Sequence, residues 1–173
     1  ISNYGAMKLA SEALISAALE SFLEKVCIYR FPNVVGIPAT HGVILDFITR
    51  LKNEPNQLSV LGNGQQQKTY LHVSELIEAM LFINSNTDVG INYYNIGAQD
   101  RGISVKQISE ITVSRISPDA KILYQDSDRG WVGDVPRFYY CIDKLNELGW
   151  RPNMSSLEVI TRAVNEIALQ EDL

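Results

Sequence analysis

The sequence predicts an α/β fold, and three observations support this class. Short runs rich in β-branched and aromatic residues alternate with longer segments of helical period along all 173 residues. Two capping boxes, Ser104-x-x-Gln107 and Ser155-x-x-Glu158, mark points at which helices begin. The content of 46% apolar and 20% charged residues is typical of a globular protein. The length is enough for about one ordinary domain.

The elements of the first half can be placed from periodicity and from the residues that interrupt it. Ser2-Asn3 is a possible cap for the first helix. Pro32 is expected to end the first strand, because proline cannot donate to a sheet ladder. Gly62-Asn63-Gly64 indicates a hairpin-like turn between two short strands. The predicted elements are a helix over 4–23, a strand over 26–31, a helix over 42–53, and strands over 58–61 and 69–73.

The alternation continues in the second half. Asp143 and Gly149 are expected to bound a short helix. The segments 32–42 and 125–136 are polar and rich in glycine, so we expect loops there, and loops are where binding sites tend to lie. The predicted elements are a helix over 74–83, a strand over 91–96, a helix over 104–116, a strand over 121–124, a helix over 143–149 and a helix that begins at 155.

Composition excludes several classes of function. The net charge is -5, with 15 basic and 20 acidic residues, which argues against a nucleic-acid-binding protein. No apolar run approaches the ~18 residues of a membrane span, so a cytoplasmic protein is expected. His41 and His72 are too far apart in sequence to suggest a metal site. Cys27 and Cys141 lie in apolar stretches and are predicted to be buried free thiols.

Tyr4 and Lys8 are candidates for chemistry. Residues four apart share one face of a helix, so these two side chains should meet near the amino terminus of the first helix. A neighbouring ammonium and a helix amino terminus both stabilise a phenolate and thus favour a tyrosine that acts as a base. On spacing alone, an ordinary surface pair is the favoured interpretation.

Four sequence segments carry a resemblance to a known family. The segment SNYGAMKLASE (2–12) is similar to YGxxKxxxE, and RFPNVVG (30–36) is similar to RxxNvxGP. The segment LGNGQQQKTYLHV (61–73) resembles GdGxQxRDfvhV, while GDVP and LGWRP towards the end (133–152) resemble a GDvP…LGWxP pattern. These patterns, in this order, resemble the NAD-dependent epimerase/dehydratase family, the extended short-chain dehydrogenases/reductases, and especially its UDP-glucose 4-epimerase-like members.

The resemblance implies roles for individual residues. Tyr4 would be the catalytic base and Lys8 would orient the nicotinamide ribose of NAD. Phe31 and Pro32 would lie beside the nicotinamide ring, although a strand end explains them equally well. Asn33 would contact the substrate diphosphate, where a turn role is the alternative. The residues implied to bind the nucleotide sugar are Asn33, Val43, Ile44, Phe47, Lys68, Arg129 and Asp134, with Arg137 as a weaker candidate.

The sequence also departs from the family pattern. Lys68 stands where an arginine is usual. The ammonium of lysine is a point charge and cannot form the two parallel hydrogen bonds that a planar guanidinium makes to a phosphate. Thr69 stands where an aspartate is usual. No GxxGxxG, the loop that presents backbone amides to the pyrophosphate of NAD, occurs in the 173 residues. The chain is therefore expected to be a truncated, inactive carboxyl-terminal portion that lacks most of its cofactor site.

The resemblance implies a domain organisation and a function. Residues 1–40 would be the last helix and strand of a Rossmann domain, and 41–173 mainly a small α/β substrate-binding domain, with 91–97 returning to the Rossmann sheet. The expected parent activity is C4 epimerisation of a nucleoside-diphosphate hexose through a keto sugar and NAD, and the expected nucleotide is UDP. One alternative is another enzyme of the family, a dehydratase, reductase or decarboxylase. The second alternative is a non-catalytic fragment that binds a nucleotide sugar. Homodimerisation or self-association is also expected, because apolar faces would be uncovered.

Overall fold

The computed structural model describes residues 2–127 and 140–173. Within these ranges the helices begin close to the predicted positions. Both predicted capping boxes are formed, at Ser104 with Gln107 and at Ser155 with Glu158. The first helix ends at Leu19, some four residues before the predicted end. The helices are α1 (Asn3–Leu19), α2 (Val43–Asn53), α3 (Val73–Ser85), α4 (Val105–Ile116), α5 (Asp143–Leu148) and α6 (Ser156–Gln170).

Most strand pairing in the described residues is parallel, as the predicted α/β class requires. The first strand, β1 (Lys25–Arg30), pairs in parallel with β6 (Gly90–Asn95). A shorter pair, β2 (Asn33–Val35) with β5 (Tyr70–His72), is also parallel. The remaining pairs are β3 (Gln57–Val60) with β8 (Lys121–Tyr124), parallel, and β4 (Gln67–Lys68) with β7 (Ile103–Ser104), antiparallel.

The predicted hairpin-like turn at residues 62–64 is wrong. The strand before it, β3, pairs with β8, whereas the strands after it, β4 and β5, pair with β7 and β2. The glycine-containing turn instead attaches to the end of β8. There Asn63 N donates to the carbonyl of Ser127 at 2.7 Å, and Gln125 N donates to the carbonyl of Gly62 at 3.0 Å. The turn residues were recognised correctly, but a partner distant in sequence determines the pairing.

Two clusters of apolar side chains hold these elements together. The larger joins α2, α4 and α6 to β3 and includes the fully buried Ile48, Leu58 and Ile160. The smaller packs α3 against β6 and the α5 region, with Ile83, Ile96 and other apolar residues buried and Tyr29 of β1 packed against them. The division into a domain over 1–40 and one over 41–173 stays a prediction.

The prediction that both thiols are buried is wrong for Cys141. Its side chain is exposed, and its Sγ donates to Asp143 Oδ2 at 3.3 Å. The apolar neighbours of Cys141 in sequence suggested burial, but this residue precedes α5 in irregular structure. Cys27 on β1 is half-buried. No helix in residues 2–127 and 140–173 has the length and apolar character needed to cross a membrane.

Candidate functional site

The amino terminus of α1 brings Tyr4 and Lys8 together, as their spacing predicted. Ser2 caps the helix, and its Oγ accepts a hydrogen bond from Gly5 N at 3.2 Å. Tyr4 therefore lies in the first turn, and Lys8 Nζ lies 5.5 Å from the centroid of the Tyr4 ring. The Tyr4 side chain is 70% exposed, so its phenol is open to a ligand.

Polar contacts attach α1 to the sheet, since none of its residues is buried. Arg30 at the end of β1 binds Glu12 through both guanidinium nitrogens that face it, with Nε donating to Oε1 at 2.8 Å. This hydrogen bond from Arg30 lowers the pKa of Glu12, an effect that desolvation partly opposes. The hydroxyl of Tyr93, on the neighbouring strand β6, lies 2.9 Å from the hydroxyl of Ser16 on α1. Glu12 and Arg30 belonged to the motif segments, but sequence gave no reason to pair them.

Tyr140 connects the region of Tyr4 to the end of β1. Its hydroxyl donates to the carbonyl oxygen of Phe31 at 2.9 Å. Burial raises the pKa of Tyr140, and the charge of Tyr4 adds to the rise. The ring also lies against Gly97, where an added Cβ would be 3.3 Å from Tyr140 Cβ. No sequence signal indicated this residue, because its contacts are with residues distant in the chain.

A groove of about 1090 Å³ begins at Phe31 and runs along the loop between β1 and α2. Its walls come from that loop, the first turns of α2, the segment around β4, and Ile167 of α6. Seven residues predicted from the sequence line it, namely Phe31, Pro32, Asn33, Val43, Ile44, Phe47 and Lys68. Tyr4 and Lys8 are not among the lining residues. Arg129, Asp134 and Arg137 lie outside the described residues.

The groove combines an apolar wall with polar groups. Ile44 and Phe47 are buried against the larger core, so the α2 side of the groove is rigid and apolar. Asn33 is exposed at the start of β2, and Lys68 is half-buried on β4. An amide and an ammonium can both donate to phosphoryl oxygens. Such a surface suits a ligand with one flat apolar part and one anionic part.

Lys68 is positioned by a close approach between β4 and the residue before β7. Gly102 has a φ of +83°, and a Cβ at this position would overlap with the carbonyl oxygen of Lys68. Asp100 holds this turn, because its Oδ1 accepts from Gly102 N at 2.7 Å. The same carboxylate accepts from the backbone N and the Oγ of Ser156, at the start of α6. The groove side of β4 is thereby tied to the last helix.

Gln66 is a lining residue for which no role was predicted. Its side chain is only 3% exposed. Among the described residues, neither the amide nitrogen nor the amide oxygen of Gln66 has a hydrogen-bond partner. The signal that could have found it is its place in the segment 61–73, where Gln66 matches the Q of the GdGxQxRDfvhV pattern. The described ranges contain no group of three or more His, Cys, Asp or Glu side chains that could hold a metal ion.

Comparison with known proteins gives a consistent result. The model of the NAD dependent epimerase/dehydratase family matches residues 1–97. The chain is 28% identical to a protein of Methanocaldococcus jannaschii provisionally named UDP-glucose 4-epimerase, over 95% of this chain. It is also 28% identical to the dTDP-D-glucose 4,6-dehydratase of Mus musculus, over 93% of this chain. A crystal structure of UDP-galactose 4-epimerase superposes on 96% of the chain with a TM-score of 0.83 and 32% identity.

These similarities extend over part of each relative. The chain covers 53% of the M. jannaschii protein, 46% of the mouse dehydratase and 53% of the solved UDP-galactose 4-epimerase. It thus spans about half the length of the curated relatives it matches. Among structures of lower identity, a dTDP-glucose 4,6-dehydratase of Bacillus anthracis in complex with NAD shares the fold, with a TM-score of 0.79. Since the family model matches more than half of the 173 residues, the chain belongs to the NAD-dependent epimerase/dehydratase family.

Proposed function

We propose that the groove binds a nucleoside-diphosphate sugar. The observation that carries this proposal is the convergence of Asn33 and Lys68 with the apolar wall of α2 on one groove. These residues are far apart in sequence, and an accidental set would not be expected to share a single concave surface. A related structure described as a UDP-glucose 4-epimerase holds UDP-glucose, which supports the ligand class.

In the whole protein we expect this substrate to be epimerised at C4. Tyr4 would take the proton from the sugar hydroxyl, and Lys8 would orient the nicotinamide ribose. Their exposed position at the start of α1, together with Phe31 beside the groove, fits the nicotinamide end of NAD. When bound, NAD would accept a hydride from the sugar carbon and return it. Arg129 and Asp134 remain proposed substrate contacts, and Phe31 and Pro32 proposed cofactor contacts.

A dehydratase on the same scaffold is the second candidate. The mouse and human dTDP-D-glucose 4,6-dehydratases match the chain over 93% of its length, at 28% and 27% identity. The two reactions start with the same oxidation at C4, so Tyr4 and Lys8 would serve both. Product analysis of the whole protein with UDP-glucose and dTDP-glucose separates them. An epimerase gives a product of unchanged mass, whereas a dehydratase gives one that has lost a water molecule.

The binding part of the proposal can be tested on the chain itself. We expect UDP-glucose to bind, and Lys68→Met to weaken its affinity by about ten-fold or more, because hydrogen bonds to charged groups contribute about 1.5–3 kcal/mol. Lys121→Met, at an exposed lysine of β8 away from the groove, should leave the affinity unchanged. Isothermal titration calorimetry measures both. Equal affinities in all three proteins, or no nucleotide binding by the unaltered chain, would contradict the proposal.

The expected partners of the protein are small molecules and a second copy of itself. Homodimerisation and a cytoplasmic location remain proposals. Nothing in the acidic composition favours a nucleic-acid partner. We also expect the chain alone to bind NAD poorly and to be inactive, which calorimetry with NAD and a turnover assay would check.

A further inference from the structure

The loop between β2 and α2, residues 36–42, forms one wall of the groove, and few hydrogen bonds hold it. Every residue of this loop lines the groove. Among the described residues, the hydrogen bonds that join 37–41 to another segment are all made by Ala39. A surface segment with so few bonds opens easily unless those bonds are kept. The shape of this groove wall therefore depends on whatever holds Ala39.

Gln170, the last residue of α6, makes both of these bonds. Its Oε1 accepts from Ala39 N at 2.8 Å, and its Nε2 donates to the carbonyl oxygen of Ala39 at 2.9 Å. A carboxamide carries a donor beside an acceptor, so it can pair with both backbone groups of one residue. Two bonds to one residue fix its orientation as well as its distance from the helix.

The end of α6, from which Gln170 acts, is itself anchored. Lys52 in the last turn of α2 donates from Nζ to the carbonyl oxygen of Glu171 at 2.7 Å. Arg115 of α4 donates to the carbonyl oxygen of Leu173 at 3.2 Å. These bonds hold the carboxyl end of α6 against α2 and α4, so Gln170 is a fixed point of reference for the loop.

The same face of α6 also supports the start of the loop. Glu166 lies four residues before Gln170 and therefore on the same side of the helix. Its Oε2 is 2.9 Å from His72 Nε2. Gly36 packs against that imidazole ring, because an added Cβ at Gly36 would lie 2.9 Å from His72 Nε2. One helix face thus locates the loop at Gly36, through His72, and at Ala39 directly.

We propose that Gln170 is a positioning residue of the groove, which holds Ala39 and thereby keeps the loop 36–42 in the shape that binds a nucleoside diphosphate. The inference rests on the proposed function, because it concerns the same groove and the same ligand. It adds a residue that lies outside residues 1–97, which the family model matches. A loop that is ordered before the ligand arrives does not have to be ordered at the expense of binding.

The test compares Gln170→Leu with Asn165→Leu by calorimetry, with UDP as the probe. Asn165 is also an exposed residue of α6 that ties the helix to a neighbour, since its Oδ1 accepts from Arg115 Nε at 3.1 Å, but it does not line the groove. We expect Gln170→Leu to weaken UDP binding by about five-fold or more, because the ligand must then order the loop. Asn165→Leu should leave the affinity unchanged. Amide exchange at Ala39 should accelerate only in Gln170→Leu, because the Ala39 N–H loses its acceptor.

Gln170→Glu separates positioning from general stabilisation. A protonated carboxyl can accept from Ala39 N and donate to the Ala39 carbonyl, whereas a carboxylate can only accept. The UDP affinity of Gln170→Glu, divided by that of the unaltered chain, should be low at neutral pH and recover as the pH falls towards about 4.3, the ordinary pKa of glutamate. Lys52 and Glu171, the charged groups beside this position, are present in both proteins and do not alter the ratio. The corresponding ratio for Gln170→Leu should not depend on pH.

Four results would each overturn the positioning role and leave nucleotide binding intact. They are an unchanged UDP affinity in Gln170→Leu, an equal loss of affinity in Asn165→Leu, a pH-independent ratio for Gln170→Glu, and unchanged amide exchange at Ala39 in Gln170→Leu. If the unaltered chain does not bind UDP, the proposed function fails, and the role of Gln170 fails with it.

Discussion

The contact between Glu12 and Arg30 determines how the helix that carries Tyr4 lies on β1. Arg30 donates to both carboxylate oxygens of Glu12, and this two-point geometry fixes direction as well as distance. The Arg30 side chain is half exposed, so the contribution to stability is expected to be small. The main effect of the pair is therefore on orientation, because the remaining contacts of α1 bury none of its side chains.

Glu12→Gln should lower the free energy of unfolding by about 0.2–1 kcal/mol at neutral pH. Arg30 lowers the folded-state pKa of Glu12 below its ordinary value of 4.5. The stabilisation is therefore complete above pH 4.5 and is lost as the pH falls through the lower folded pKa. Urea unfolding of both proteins across this range measures the difference.

Glu110→Gln is a matched control. Glu110 also faces a basic side chain, Lys106, but its Oε1 lies 3.9 Å from the Lys106 Nζ. The effect of Glu110→Gln should be smaller than that of Glu12→Gln. If the stability lost in Glu12→Gln stayed constant from neutral to strongly acidic pH, the ion pair between Glu12 and Arg30 would not be the source of that stability.

Single residues differed in how far the sequence could indicate them. Spacing and motif were sufficient to nominate Asn33 and Lys68, and both line the groove. Tyr140 could not be found this way, because its bond to Phe31 joins residues 109 positions apart. Gln66 stands at the Q of the GdGxQxRDfvhV pattern, but its burial without a partner among the described residues is visible only in the folded structure.

At the level of elements, the junction between β4 and the turn before β7 controls where Lys68 lies. Gly102 allows the two backbones to approach more closely than any side chain would permit. The carboxylate of Asp100 then connects this turn to the start of α6 through Ser156. Ser156 Oγ in turn accepts from Tyr70 N at 3.1 Å, which extends the connection to β5.

Gly102→Ala should be more destabilising than Gly90→Ala. Both glycines have positive φ values, +83° and +95°, so alanine costs about 1–2 kcal/mol at either position. At Gly90 nothing lies within 4 Å of an added Cβ, whereas at Gly102 the methyl group would overlap with the backbone of Lys68. This overlap should add roughly 1–3 kcal/mol.

Denaturant unfolding gives the free energy of unfolding of both variants, and the difference between them is the steric contribution. UDP binding should weaken only in Gly102→Ala, because the added methyl group displaces Lys68. Equal stabilities of the two alanine variants would mean that the close approach is not required.

The sequence predicted long elements better than short ones. Helices α4 and α6 were located by their capping boxes, which act within three residues. The strands β2, β4 and β7 have two or three residues each, too few for any periodicity to be visible. The hairpin-like turn was predicted wrongly because local turn chemistry cannot reveal that β8, more than sixty residues later, pairs with β3.

For the whole molecule, the uncovered surface of α1 is the main unexplained feature. Along one helix and the turn after it, Met7, Leu9, Leu14 and Phe22 are all largely exposed. Met7 and Leu14 are seven positions apart and therefore share one face of α1, and an exposed apolar face of this kind often marks an interface. The sequence predicted self-association through uncovered apolar faces, and the exposed residues of α1 are consistent with this prediction.

We expect the chain to self-associate through α1, and Leu14→Lys to shift it towards the monomer by placing a charge in the apolar surface. Leu169→Lys is the control, because Leu169 of α6 is 69% exposed and Leu14 is 73% exposed. Sedimentation velocity over a range of concentrations measures the association. A monomer at all concentrations, or an equal effect of both substitutions, would contradict an α1 interface.

The contribution of Ile167 has a consequence for synthesis. This residue of α6 lines the groove and belongs to the same buried cluster as Ile44 and Phe47, some 120 positions earlier. While the ribosome is still translating the intervening segment, α2 has no α6 to pack against, and the groove lacks Ile167. If the groove binds the proposed nucleotide sugar, that ligand would stabilise most strongly the chains translated beyond residue 167, in which this side of the groove is complete.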